Sequence, residues 1–197
     1  ARPHLTLAWY LARLLLLDQG LPSGRLWERW QAARLERRVG GPVACISGAC
    51  MLGRRETLQH IGLLDEGFDF YFEDVEWCHR AQRRGWQVGY VAEAEILHLG
   101  DQSLSKVKVW AKKSEYRSAL RYYQMYYRLG NMGSRLLWMV TTLSYTLRFL
   151  IFKIQEMLTG KAGYAAAYAE LIGWITGSEE IRSSKPRPGA ASGLDGC

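Results

Sequence analysis

Apolar positions along the chain fall into helical and strand-like stretches, separated by glycine and proline. Residues 5–17 carry leucines and aromatics in a helix-like run that Gly20 and Pro22 stop. Ser23 is placed to cap a second helix reaching about Arg38, with Leu26, Trp27, Trp30 and Leu35 at near-helical spacing. Gly40, Gly41 and Pro42 end it. Val43–Gly53 is apolar enough for a buried strand, with Gly48 marking a bend or a close backbone approach. A short helix is predicted over Arg54–His60, ended by Gly62. Residues 63–72 form an aromatic loop. A helix over Glu73–Arg84 follows, closed by Gly85. Glu73, Asp74 and Glu76 suit its positive end, and Arg83 and Arg84 suit its negative end. Gln87–Val91 and Glu95–Leu99 read as short strands. Helices are then predicted over about 108–129, 134–158 and 162–176, and the Pro/Ser/Gly-rich stretch 182–197 predicts a disordered tail.

Composition bounds this picture. The chain has 197 residues and 48% hydrophobic content, enough for one domain with a core and an appendage. It starts with Ala1 rather than Met, which reads as a fragment or a processed product. Residues 1–100 carry 12 Lys/Arg and 12 Asp/Glu, whereas residues 101–197 carry 14 and 7. The whole excess of +7 therefore lies in the second half and points it at an anionic partner. Cys45, Cys50, Cys78 and Cys197 form no disulfide framework and lack the paired spacing of zinc knuckles. Buried free thiols in a reducing, cytoplasmic compartment are expected. Leu14–Leu17 is too short for a signal peptide. No run of about 20 uninterrupted apolar residues occurs, so the pattern predicts no membrane span.

The densest chemistry lies at Glu73, Asp74 and Glu76, three carboxylates within four residues, after the aromatic run Phe68–Phe72. Two readings stand for them. Helix starts attract Asp and Glu as ordinary caps. Alternatively, adjacent like charges on a loop are offset by a cation or a proton, as proton-abstracting chemistry needs. His98, 24 positions after Asp74, is either a satisfied histidine or a metal ligand.

The residues then fall into a known order. Ser47-Gly48-Ala49-Cys50-Met51-Leu52-Gly53-Arg54-Arg55-Glu56 is followed by Gly62-Leu63-Leu64-Asp65-Glu66-Gly67-Phe68. Next come Tyr71-Phe72-Glu73-Asp74-Val75-Glu76-Trp77-Cys78, Gly85-Trp86-Gln87-Val88, Tyr90-Val91 and His98-Leu99-Gly100. This series resembles the C-terminal part of family 2 inverting glycosyltransferases, and most of all the rhamnosyltransferase-like branch that builds cell-wall and other polysaccharides. The resemblance implies an α/β fold: the C-terminal portion of a GT-A nucleotide-sugar domain, followed here by amphipathic helices. It implies that Asp74 is the catalytic base with Glu73 beside it. It also places Ser47, Gly48, Ala49, Glu76 and Trp77 at the substrate, and His98 as a ligand of divalent Mg or Mn. Glu76 stands where the family usually has Asp, Ala92 where Pro is frequent, and Asp101 where Gly is frequent. The Asp-x-Asp metal motif of the family's donor-binding half does not precede Ser47, so the resemblance leaves that half out.

Four regions follow: a helical connector over 1–41, the acceptor and base part over 42–105, a basic amphipathic helical region over 106–181, and the tail over 182–197. The implied partners are a nucleotide-sugar donor and a polysaccharide or lipid-linked acceptor. Residues 106–158 mix Lys and Arg with Tyr, Trp and an apolar run from Leu136 to Phe152. That combination describes a helix lying peripherally on the cytoplasmic face of the inner membrane. These helices carry no nucleic-acid-binding motif, and nucleic acid is not expected as a partner. The alternative to an active transferase is a non-catalytic remnant of one, or a membrane- or partner-binding fragment.

Overall fold

The computed structural model describes residues 6–14, 40–97, 108–160 and 163–177. The chain divides into two compact units, Ala1–Lys106 and Val107–Cys197. The connector helix expected over 24–38 and the tail at 182–197 lie outside the described residues.

In the first unit, helix α1 is Leu7–Leu14, within the predicted 5–17. A two-strand antiparallel ribbon pairs β1, Gly41–Pro42, with β2, Gly89–Tyr90, in the register Gly41↔Tyr90 and Pro42↔Gly89. Val43 extends it by donating its N–H to the Val88 carbonyl at 2.8 Å. The long strand expected over Val43–Gly53 does not form. Within the described residues the ladder has one partner and stops at a lone bridge at Cys45, after which Gly48 and Ala49 turn the chain. Residues 95–97 are not a strand either: the Ala94 N–H turns back onto the Val91 carbonyl at 3.3 Å. The described part of this unit is therefore helix-dominated, with less sheet than the α/β expectation.

Helix α2, Arg55–Ile61, and helix α3, Glu73–Arg83, sit close to their predicted bounds. Gly62 closes α2 at φ 80, a left-handed value that costs glycine nothing. The α2/α3 pair is stabilised by Ile61, Trp77 and Ala81, with Met51, Leu58 and Trp86 packed around them. Helix α3 also supplies donors to the exposed carbonyls at the C-terminal end of α2. Trp77 Nε1 reaches the Gly62 carbonyl at 3.0 Å, Arg80 reaches the carbonyls of Ile61 and Leu63, and Arg84 that of His60. Cationic donors there satisfy orphan carbonyls and oppose the helix dipole together. Gln82 ties α3 to the ribbon through the carbonyls of Val43 and Ala44, at 2.9 and 3.1 Å.

Among its described residues the second unit is three helices: α4, Lys108–Tyr127; α5, Asn131–Thr159; and α6, Ala165–Gly177. All three fall where the pattern placed them. Helices α5 and α6 are joined by the Trp138 indole N–H on the Ile175 carbonyl at 2.9 Å and by stacked Phe152 and Tyr168. Helix α4 meets α6 through Lys113 and Glu170 at 2.7 Å and through the Arg117 guanidinium over the Trp174 ring. By length and composition α5 is apolar enough to cross a membrane. It holds no uninterrupted apolar run of that length, because Thr141, Thr142, Ser144, Thr146 and Arg148 interrupt the sequence.

Candidate active site

The acidic pair sits on a strained entry into α3. Tyr71 and Phe72 both have left-handed backbones, at φ 64 and 69, and Phe72 is the N-cap. Bulky aromatic residues rarely take that conformation, and each such residue costs on the order of 1–3 kcal/mol unless its surroundings hold it. Phe72 is held: its ring is buried edge-on against Tyr10 of α1, centroids 5.8 Å apart, and its carbonyl accepts the Glu76 N–H at 2.8 Å. With Phe72 as cap, Glu73 and Asp74 become the first two residues of the helix. The ordinary N-cap reading of either carboxylate is thereby set aside. Nothing in the sequence signals consecutive left-handed aromatics, so this feature was not legible there.

Asp74 is buried, and its carboxylate is fixed from two directions. Oδ1 accepts the Val75 N–H at 2.8 Å and Oδ2 accepts the Gly48 N–H at 2.9 Å. Gly48 belongs to an exposed turn over Ser47–Cys50. The Ser47 hydroxyl accepts the Ala49 N–H at 3.3 Å, and the Ser47 carbonyl accepts the Cys50 N–H at 3.4 Å. A Cβ on Gly48 would stand 3.6 Å from Asp74 Cβ and 3.9 Å from Glu73 Oε1. The fold thus brings Gly48, Glu73 and Asp74 together. The turn beside them is open to solvent at Gly48 and Ala49.

Glu76 and Trp77 serve a different part of the structure. Glu76 is 2% exposed and grips Arg80 through both oxygens, at 3.0 and 2.9 Å, so it aims the guanidinium at the end of α2. Trp77 is buried in the α2/α3 core. Cys78, fully buried, has its thiol held below the ordinary value by a hydrogen bond with Cys45, against burial and the nearby Asp74 and Glu76 charges. Cys45 shares this buried setting, whereas Cys50 is exposed on the turn.

Each carboxylate oxygen has two lone pairs, so an oxygen that accepts one amide N–H still offers an acceptor site. A carboxylate oriented by amides at a helix start, beside an exposed turn, can take a proton from a hydroxyl placed against it. Among the described residues no group of three His, Cys, Asp or Glu side chains could hold a metal ion. His98 lies outside the described residues. The described residues alone do not make a Mg or Mn site.

Comparison with known proteins meets this geometry. Residues 26–118 match the family described as glycosyltransferase like family 2. That match takes in just under half of the chain, and over it the chain is similar to that family, in line with the motif order. Among individual relatives, the chain is 38% identical over 80 residues to an N-acetylglucosaminyl-diphospho-decaprenol L-rhamnosyltransferase of Mycobacterium tuberculosis. That alignment covers 38% of this chain and 26% of the relative. It is 33% identical over 57 residues to the low-salt glycan biosynthesis hexosyltransferase Agl10 of Haloferax volcanii, covering 29% of this chain and 19% of that one. The chain thus spans about a quarter or less of the length of these curated relatives. No solved structure matches it.

Proposed function

We propose that this chain supplies the acceptor side and the base of an inverting sugar transfer from a nucleotide-sugar donor. The observation that supports it most is the hydrogen bond between Gly48 and Asp74. It joins the Ser-Gly-Ala turn to the Glu73–Asp74 pair, the two motifs that carry the family resemblance. In this reading an acceptor hydroxyl sits over the turn, and Asp74 takes its proton as the oxygen attacks the anomeric carbon. One carbon–oxygen bond forms on the face opposite the one that breaks, and the nucleoside diphosphate leaves with the bonding electrons. The amides of Gly48 and Val75 keep the carboxylate from rotating away.

The relatives' names direct the choice of substrates. An L-rhamnosyl donor and a diphospho-polyprenol-linked sugar acceptor are the first pair to try, and other hexosyl donors the second. A divalent metal, supplying charge to the leaving diphosphate, would find His98 as its ligand from this chain.

Asp74→Asn tests the reading. Asparagine keeps one oxygen for the Gly48 N–H and loses the acceptor for the Val75 N–H, so the variant should still fold but with about 1–3 kcal/mol less stability. Transfer, followed as nucleotide release by the enzyme carrying this chain, should fall about 10²–10⁴-fold. Near-normal turnover in a folded Asn variant would remove Asp74 from the role of base.

A further inference from the structure

Helix α1 reaches the acidic pair from a distant part of the sequence. Tyr10, on α1, is 2% exposed, and its ring meets the buried Phe72 ring edge-on. Both residues belong to the first unit. Tyr10 lies before residues 26–118, so the family match does not reach this contact. Edge-on aromatic pairs have a preferred geometry, and burial on both sides resists rotation of either ring. What this pair holds is a backbone. Phe72 has φ 69 and Tyr71 before it has φ 64. A β-carbon is disfavoured there, and only glycine takes the conformation freely. Two such aromatic residues in succession persist only where their surroundings hold them. Phe72 is also where α3 starts. Its carbonyl accepts the Glu76 N–H at 2.8 Å in the first turn. Glu73 and Asp74 follow it directly, and Asp74 Oδ2 accepts the Gly48 N–H at 2.9 Å. If Phe72 left the left-handed region, the chain would enter α3 from another direction and Asp74 would move against Gly48.

We propose that Tyr10 is a positioning residue for the Asp74 carboxylate: its ring holds Phe72 in the left-handed cap, and that cap sets the carboxylate against the Ser47–Cys50 turn. The inference rests on the reading of Asp74 as the base of sugar transfer. Tyr10 touches none of the reacting atoms and acts through Phe72. It makes α1 a buttress of the site, in a stretch that the sequence pattern describes only as a connector. A base held slightly out of place still leaves the acceptor its other contacts. The kinetic mark therefore falls on kcat and spares the acceptor KM.

The test uses the enzyme carrying this chain, with isotope-labelled glycine, and two readouts. The first is the amide resonance of Gly48, assigned by its loss in Gly48→Ala, which reports the hydrogen bond to Asp74 with no substrate present. The second is kcat for transfer with the acceptor KM beside it. Tyr10→Ala should shift the Gly48 amide and speed its hydrogen exchange. It should lower kcat about 10- to 100-fold while KM changes less than about threefold. Tyr10→Phe keeps the ring and should retain most of the turnover that Tyr10→Ala loses. Tyr10→Leu, which keeps apolar bulk without the ring edge, replaces the alanine variant if that one does not fold. Two changes at Phe72 separate a held backbone from a general loss of packing. Both Phe72→Ala and Phe72→Gly delete the ring, but glycine takes φ 69 freely. Phe72→Gly should therefore exceed Phe72→Ala in kcat and keep the Gly48 amide closer to the parent's. Equal losses, or a greater loss with glycine, overturn the proposal. So does an unchanged Gly48 amide in Tyr10→Ala, whatever the rates. If that amide moves and kcat does not, the positioning by Tyr10 stands and the reading of Asp74 as the base falls.

Discussion

Gly48 donates its backbone N–H to Asp74 at 2.9 Å across 26 positions of sequence, so an exposed turn and the start of a buried helix move as one piece. The contact uses no side chain of residue 48. It also leaves room there for a methyl in ordinary contact with Asp74 and Glu73.

That space gives the first prediction. A methyl at Gly48 would meet Asp74 Cβ at 3.6 Å and Asp74 Oδ2 at 3.8 Å, ordinary contact distances. Gly48→Ala should therefore fold with a melting transition close to the parent's. In the transfer reaction the methyl occupies the approach to the acid pair, so the specificity constant for the acceptor should drop about tenfold or more, since a misplacement of about 1 Å at a reacting centre can cost that much. Steady-state rates over a range of acceptor concentrations check it. An unchanged constant means that the substrate does not pass over the turn.

The second prediction concerns Glu76 and Arg80. Their pair is nearly buried on the Glu76 side, and Arg80 also serves the carbonyls of Ile61 and Leu63. Arg80→Met strands a buried carboxylate and should cost about 3–5 kcal/mol of unfolding free energy. Glu76→Leu combined with Arg80→Met should recover part of that loss, because no uncompensated charge remains. Urea unfolding of the two single variants and the double variant gives the coupling; simple addition of the single losses means the pair is not coupled.

This pair also marks how far the sequence could be read. The carboxylates at the start of α3, the glycine after α2 and the three helices of the second unit are local features, and capping and periodicity locate them closely. Glu76 looked like a substrate contact because it shares a motif with Asp74. Its partner, Arg80, stands one helical turn on, a spacing as common on solvated faces as in cores. The sheet was overestimated for a tertiary reason: Val43–Gly53 has strand composition, but a strand persists only where another pairs with it. Which face of α5 is buried was invisible for the same reason. Periodicity shows that leucines and hydroxyls occupy opposite faces, and only the packing of α6 shows which face is covered.

The last prediction tests how α6 is set against α5. Glu156 lies in the last turn of α5, where a carboxylate adds to the negative end of the helix dipole and is locally unfavourable. Its Oε1 accepts the Gly163 N–H at 2.9 Å and the Ala165 N–H at 3.4 Å, so it caps the following helix from outside. The cost to α5 is thereby offset at the positive end of α6. Glu156→Ala removes the unfavourable charge from α5 and improves its intrinsic propensity, which alone would stabilise by a few tenths of a kcal/mol. It also strips two amides of their acceptor, a loss of about 1–2 kcal/mol for an N-cap of this kind. The second effect is larger, so the variant should be destabilised by roughly 1 kcal/mol. Glu156→Gln keeps the acceptor and should lose less. The midpoint of urea unfolding, followed by helical circular dichroism, reads both. An Ala variant at least as stable as the parent would show that the hydrogen bonds to α6 contribute nothing to its placement.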